Sequence, residues 1–309
     1  MRVYHQISEF SSSCHPAATV GVFDGVHLGH MEVLNRLNAA AREKHCESVV
    51  ITFDPHPRIV LPHHAEVRLL QTLEEKLHRM ELAGIGAVLV IPFTREFAGI
   101  TPHDFIENIL VKQLKVSHVI TGYDHFFGQN RQGDYEMLSK MGKENGFTVD
   151  ELPMILAGGN TVSSSSVRRA LLDGDAALAA NMLGYHYSIS GEVVTGNRIG
   201  RNIGFPTANI KPASKYKLIP GQGVYATLTE INGITYKGMT NVGYRPTIDS
   251  DHLTIEVNIF GFSTDIYGTT INLTFIDRIR SEKRFASLGD LQLQLASDAV
   301  VASKILEKF

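Results

Sequence analysis

The sequence predicts an α/β chain in two parts: a mostly parallel sheet covered by helices, then a small antiparallel sheet or barrel closed by a terminal helix. Three observations carry this reading. Short apolar runs rich in Val and Ile alternate with amphipathic stretches as far as about residue 184. From Tyr185 onward the chain turns into β-rich segments punctuated by Gly, Asn, Asp and Ser. The first apolar run opens directly into "GVFDGVHLGH" (21–30), two histidines flanking a Leu-Gly pair at the mouth of a helical stretch.

In chain order, Ala18 to Phe23 reads as a buried strand, and "MEVLNRLNAAAREK" as a helix with Val33, Leu34, Leu37 and Ala41 on one face. "SVVITF" (48–53), "AVLVIPF" (87–93) and "HVITG" (118–122) lack polar alternation, as strands buried on both faces do. Between them lie the helical segments 72–84 and 101–114, the latter with Thr101 as N-cap and Pro102 at the first helical position. Strand and helix in alternation give an open parallel sheet, whose ligand lies at the carboxyl ends of the strands. In the second half "YSISGEVVTG", "GVYATLTEI", "TYKGMTNVG", "LTIEVNIFGF" and "TINLTFIDRI" read as antiparallel strands. Residues 287–309 read as the terminal helix. There is no repeat and no low-complexity linker, and the domain boundary is set at 184/185.

Composition narrows the function classes. A chain of 309 residues with 43% apolar and 20% charged residues can bury two cores. The formal net charge of −3, without a run of Lys and Arg, offers no footprint for nucleic acid. Two cysteines without CxxC spacing, Cys14 and Cys46, fit a reducing compartment. With no apolar leader and no stretch of spanning length, a cytoplasmic protein without a membrane partner is expected.

The chemistry of the first half is that of a phosphate site. His27 and His30 fall where a strand yields to a helix N-terminus, and helix dipole and backbone N–H groups there favour an anion. Gly25 and Gly29 let a nucleotide approach the backbone, and the imidazoles supply hydrogen bonds as phosphate charge grows. Zinc is the rival reading, but no Cys cluster or HExxH helix supplies further ligands. "SSSSVRRAL" (163–171) sets serines ahead of Arg168 and Arg169; it serves as a helix cap or a phosphate cradle. "TGYDHFFGQNRQGD" (121–134) follows another apolar run, with Asp124 and Gly128 at ligand height. His56, His63 and His64 in "DPHPRIVLPHH" lack metal-ligand regularity; that loop lies at the cleft or in solvent.

In the second half, "GEVVTGNRIGRNIGFPTANI" (191–210) combines glycines with Arg198 and Arg201, but it is not a P-loop. Thr207 and Asn209 share one face of an extended chain, and their oxygens suit a hard cation such as Mg²⁺.

Taken in order, "GVFDGVHLGH", "TFDPHP" (52–57), "GYDHFFG" (122–128) and "VSSSSVRRAL" (162–171) resemble the adenylyltransferase half of the bifunctional prokaryotic riboflavin kinase/FAD synthetases. "GFPTAN" (204–209), "GVYA" (223–226), "NVGYRPT" (241–247) and "EVNIFGF" (256–262) resemble its riboflavin kinase half. The resemblance implies a Rossmann-like FMN adenylyltransferase domain over 1–184 and a β-barrel riboflavin kinase domain over 185–309. Riboflavin is then phosphorylated to FMN, and FMN attacks the α-phosphate of ATP to give FAD and pyrophosphate. It implies His27 and His30 as catalytic, with ATP on Gly21, Phe23, Asp24, Gly25, Gly29, Asp124, Ser163, Ser164, Ser165 and Arg168. In the kinase half it implies ATP on Gly196, Arg201, Gly204 and Pro206, Mg²⁺ on Thr207 and Asn209, and Glu256 as the base for the ribityl hydroxyl. The partners implied are ATP, riboflavin and FMN alone. Three positions depart from the family pattern: Ser165 replaces a common threonine, Asn258 a histidine and Gly261 an aspartate. An HxGH turn alone also suits another phosphate acceptor, and a β-rich half alone suits a flavin- or RNA-binding module; "GFPTAN" and Glu256 speak for the kinase.

Overall fold

In a computed structural model of the full chain, two compact units form, Met1–Ser163 and Ser164–Phe309. The structure describes residues 1–12, 14–61, 67–123, 126–129, 132–157, 159–196, 200, 203–246 and 251–309.

The first unit is built on six parallel strands: β1 (Arg2–Tyr4), β2 (Ala17–Val20), β3 (Ser48–Asp54), β4 (Ala87–Pro92), β5 (His118–Gly122) and β6 (Thr148–Leu152), in the order β1-β4-β3-β2-β5-β6. The lack of polar alternation has its cause in this layering. On β4, Ala87, Leu89 and Ile91 enter one core cluster, with Phe105, Ile106 and Leu110 of the helical stretch Pro102–Gln113. Val88 and Val90 enter the other, with Leu34 and Leu37 of α1 (Leu28–Glu43) and Met80 from the segment 73–82. The face foreseen on α1 is the buried one, with Ala40 added.

The remaining first-unit helices are α2 (Pro57–Val60), α3 (Leu73–Leu82), α4 (Arg95–Ala98), α5 (Pro102–Asp104) and α6 (Tyr135–Asn145). Thr101 caps α5, donated to by Asp104 N–H at 3.1 Å, but from Phe105 to Gln113 the winding widens to a π-helix. Thr72 and Glu75 form a capping box on α3. Chain order runs β2, β3, β4 to one side and then crosses to β5 on the other, so the sheet reverses direction between β2 and β5. That is where an open α/β sheet holds its ligand.

The second unit opens with two helices, α7 (Ser164–Leu172) and α8 (Ala176–Leu183). Six antiparallel strands then close a barrel in the order β10-β13-β12-β11-β14-β9. They are β9 (Ser188–Val194), β10 (Ala208–Pro212), β11 (Gly223–Ile231), β12 (Ile234–Pro246), β13 (Asp251–Ile259) and β14 (Thr270–Arg280); a two-residue ribbon, β7 (Leu156–Ala157) and β8 (Asn160–Thr161), belongs to the first unit. The five foreseen strands are present, and β10 is an addition. Ile189, Tyr225, Leu273 and Phe275 are fully buried, as the packed interior of a small barrel requires. Alternate residues Val224 and Ala226 face the other way and pack with Ala302 and Leu306 at the end of the terminal helix α9 (Leu288–Ile305). Ser287 caps α9, and Arg280 on β14 donates to both carboxylate oxygens of the buried Asp298 at 2.8–3.0 Å.

The helices α7 and α8 pack with the barrel, within the second compact unit. Gly221 N–H donates to Leu171 O at 2.8 Å, and Arg278 Nη1 donates to Asp173 O at 3.1 Å. The boundary at 184/185 thus falls inside this unit.

Candidate active sites

At the end of β2 the chain leaves the sheet through a tight turn in which Phe23, Gly25 and Val26 all take positive φ. Two of these are apolar residues in a costly backbone region, of order 1–3 kcal/mol each, held by burial of their side chains. The turn ends on His27, the N-cap of α1, whose Nδ1 accepts the His30 backbone N–H at 3.3 Å. Accepting there places the proton of a neutral His27 on Nε2, so the ring keeps one N–H donor. The His27 and His30 rings stack with centroids 3.7 Å apart and 15° between planes, and the Phe23 ring tilts onto His30 at 5.0 Å. A Cβ on Gly29 would stand 3.3 Å from the His27 ring, so this glycine makes room for the histidine itself.

Burial pushes His30 well below the ordinary histidine value, and positive charge from His27 and Lys76 adds to it. Its Nδ1 is buried without a hydrogen-bond partner. His30 is therefore held neutral with one ring nitrogen unspent, stacked on His27 at the topological switch point. Asp24 is buried, and its carboxylate accepts the backbone N–H of Leu70 and Gln71 at 3.0–3.1 Å, which ties the turn to the chain before α3. Gly21 lies under the Phe23 ring.

Other foreseen positions fall differently. Asp124 follows β5 directly but lies outside the described residues, as do His63, His64, Arg198 and Arg201. A Cβ on Gly128 would press on the backbone of Pro102 at 2.8 Å. His56 caps α2, accepting Arg58 N–H at 3.0 Å. Ser163 closes the first unit; Ser164 and Ser165 open α7, and Arg168 follows in its second turn.

The barrel carries the second site. Register places Asn209 of β10 opposite Glu256 of β13, and Glu256 opposite Asn241 of β12. Directly opposed residues share a face, so the three form one polar row across three strands. The row lies on the face away from the packed interior, in line with Val224, whose neighbour Ala226 is under α9. Thr207, two residues before Asn209, donates from Oγ1 to Glu256 Oε2 at 3.4 Å. A Cβ on Gly196 would overlap the Asn209 amide, so glycine is required there for the amide to sit. Asn258 donates from Nδ2 to Pro206 O at 2.6 Å and fixes the turn that presents Thr207. That contact accounts for Asn258 at a position where the resemblance led to a histidine. Gly204 leads into this turn.

Nothing in the segment "NVGYRPT" marks Asn241; only strand register reveals it as a neighbour of Glu256. Also unforeseen is a groove of about 400 Å³ lined by Lys283, Phe285, Leu293 and Gln294 among others, between the segment 283–286 and α9. Glu282, next to it, reaches the position a Gly243 side chain would fill, close to the Asn241 amide. Among the described residues no three His, Cys, Asp or Glu side chains converge as a metal centre, and no helix is long and apolar enough to cross a membrane.

Comparison with known proteins covers both units. Residues 10–166 match the FAD synthetase family model and residues 183–306 the riboflavin kinase family model. The bifunctional riboflavin kinase/FMN adenylyltransferase of Escherichia coli is 39% identical over 287 residues, 92% of this chain and 90% of its own. That of Haemophilus influenzae is 38% identical over 304 residues, 98% and 97% of the two chains. A solved structure described as a macrolide-efflux protein from Streptococcus pneumoniae superposes with a TM-score of 0.88 at 31% identity, over 97% of each chain. With both halves matched in order and such relatives along nearly the whole length, the chain belongs to the bifunctional riboflavin kinase/FMN adenylyltransferase family.

Proposed function

We propose that the two activities divide between the two units: adenylyl transfer from ATP to FMN at the His27–His30 turn, and phosphoryl transfer from ATP to riboflavin at the Thr207–Asn209–Glu256 row. The observation that carries the assignment is the row itself, with a carboxylate, an amide and a hydroxyl on one barrel face and Thr207 Oγ1 3.4 Å from Glu256. Glu256 takes the proton of the ribityl 5′-hydroxyl, a role worth roughly 10²–10⁴-fold in rate. Asn241 flanks the carboxylate on the side opposite Asn209 and restrains it. The groove between the segment 283–286 and α9, with Phe285 and Leu293 in its wall, receives the flat flavin ring.

Thr207 and Asn209 offer two neutral oxygens beside the Glu256 carboxylate, a donor set that fits Mg²⁺. These residues would hold Mg²⁺, which would supply neutralisation of phosphate charge as in other phosphoryl transfers. In the first unit the imidazoles act as donors and not as nucleophiles: His27 offers Nε2–H, and a neutral His30 gives a hydrogen bond to a phosphate oxygen. Gly21, Phe23, Gly25 and Gly29 shape this turn, with Ser163 and Asp124 as further ATP contacts. Asp24 serves ATP indirectly, by anchoring the turn. We further assign the protein to the cytoplasm, without nucleic-acid partners, on its two free cysteines and its net charge of −3.

Product analysis tests the division. With riboflavin, ATP and Mg²⁺, Glu256→Gln yields neither FMN nor FAD, yet converts supplied FMN to FAD. His30→Ala stops at FMN. Unchanged FAD formation by His30→Ala overturns the adenylyl-transfer assignment, and unchanged FMN formation by Glu256→Gln overturns the kinase assignment.

A further inference from the structure

Lys76 stands one turn into α3, and its side chain is buried, with 6% of the residue exposed. The ammonium donates to Val22 O at 3.0 Å and to Thr52 Oγ1 at 3.0 Å. Thr52 in turn donates to Val22 O at 3.2 Å. Three elements thus close on one another: the turn after β2, the strand β3, and α3. Val22 and Asp24 belong to the histidine-bearing stretch, whereas Thr52 and Asp54 belong to "TFDPHP" (52–57). Both carboxylates attract the ammonium, and its charge is felt at His30. A buried cation is expensive, and a methionine of similar length would fill the space without that cost. What the position retains is the charge and its donors.

We propose that Lys76 is a positioning residue for adenylyl transfer: its ammonium clamps the Val22–Asp24 turn to β3 and holds a fixed positive charge behind the histidine pair. The inference rests on the assignment of that reaction to the His27–His30 turn. A phosphate arriving there meets a charge already in place, in a site where little water screens it. The groups that face the amine are Asp24 from the turn after β2, Asp54 at the end of β3, and His30 from α1. Burial holds the amine at about 8, against the pull of the two carboxylates. As pH rises through that value, the clamp loses its proton and the charge disappears.

The test uses the full chain and reads both activities across pH. In the unsubstituted protein, adenylylation of FMN falls along an alkaline limb near pH 8 that riboflavin phosphorylation by the same chain does not share. Lys76→Met removes this limb and lowers kcat/KM for adenylylation about 10²-fold, the cost of a displaced reacting geometry. The loss falls on kcat, and phosphorylation is retained. The His30 imidazole, followed by NMR, titrates closer to the ordinary histidine value in this variant. Thr52→Val keeps the volume but deletes one acceptor; it lowers adenylylation about tenfold, as for a hydrogen bond to a charged group, and moves the limb to lower pH. Adenylylation within twofold of the parent in Lys76→Met, or an alkaline limb that survives it, overturns the proposal. If Lys76→Met fails to fold, an unshifted limb in Thr52→Val does the same. His30→Ala is run alongside: full activity there would sink the turn assignment, whereas an inactive His30→Ala with Lys76→Met within twofold of the parent sinks this proposal alone.

Discussion

His27 and His30 lie 3.7 Å apart between ring centroids, a distance at which two imidazolium ions repel and two neutral rings stack. Burial and neighbouring positive charge hold His30 unprotonated in the folded chain. An unfolded histidine binds its proton near pH 6.5, so below that value the unfolded state takes up a proton that the folded state refuses. Stability therefore falls as pH drops below about 6.5, by at most about 1.4 kcal/mol per pH unit for each such histidine. His118 is shifted the same way, burial outweighing the attraction of Asp150. Urea unfolding between pH 7 and pH 5 should show this loss, and His30→Gln should reduce its slope. An equal slope in the variant would mean that His30 titrates normally. Lys76 acts in another window: its buried ammonium is a burden below about pH 8 that fades as pH climbs toward the unfolded lysine value, so this group adds stability with rising pH. Asn258 makes a third case. Its amide holds Pro206 O at 2.6 Å, and Asn258→Ala leaves that carbonyl without this donor. A loss of about 0.5–1.5 kcal/mol in barrel stability, with a weaker kinase and unchanged adenylylation of supplied FMN, is expected from denaturant unfolding and product assays.

Among the elements, the terminal helix depends most on a single contact. Asp298 of α9 is buried and receives Arg280 through three donor contacts at 2.8–3.0 Å, with Gln294 Nε2 at 2.9 Å. Removing one partner of a buried pair leaves an uncompensated charge, at about 3–5 kcal/mol. Asp298→Ala should accordingly lower the unfolding midpoint of the barrel and loosen α9 from the patch of Val224, Ala226 and Met239. Equal midpoints for variant and parent in calorimetry would show that the pair stabilises nothing. The three longer helical stretches foreseen in the first unit also carry local caps: Thr72 with Glu75, Thr101 with Pro102, His27 with the His30 N–H; α6 went unread although Asp134 caps it. The widening to π-winding after Asp104 was not legible. Phe105, Ile106, Ile109 and Leu110 still recur at helical spacing, and the change of winding follows from packing against the sheet.

At the scale of the whole molecule, the second compact unit begins at Ser164 and not at Tyr185. A fragment of residues 185–309 gives up the carbonyls of Leu171 and Asp173, which receive Gly221 N–H and Arg278. A fragment of residues 164–309 keeps them. Both are expected to phosphorylate riboflavin without making FAD, and the longer one to unfold at the higher temperature. Thermal unfolding of the two fragments side by side checks the ranking. Equal midpoints would assign α7 and α8 no part in the barrel's stability, and FAD from either fragment would refute the division of activities.

What the sequence determined by itself was whatever short-range patterning specifies: buried strands as apolar runs, helices by period and cap, antiparallel strands between turn residues, and motifs within one segment. Strand β10 was legible only as an extended stretch around Thr207 and Asn209; it is a strand because β9 and β13 bracket it with hydrogen bonds. Asn241 gained its place beside Glu256 from register between strands, which no local pattern encodes. Lys76 looked like one more charged residue on an amphipathic helix. Only the tertiary structure buries it against Val22, Thr52, Asp24 and Asp54, because burial depends on which elements meet and not on which residues adjoin. The same physics divides the histidine pair: its position at a helix N-terminus followed from the chain, while its stacking and the lowered His30 value follow from burial in the fold, beside the Phe23 ring and the buried cation.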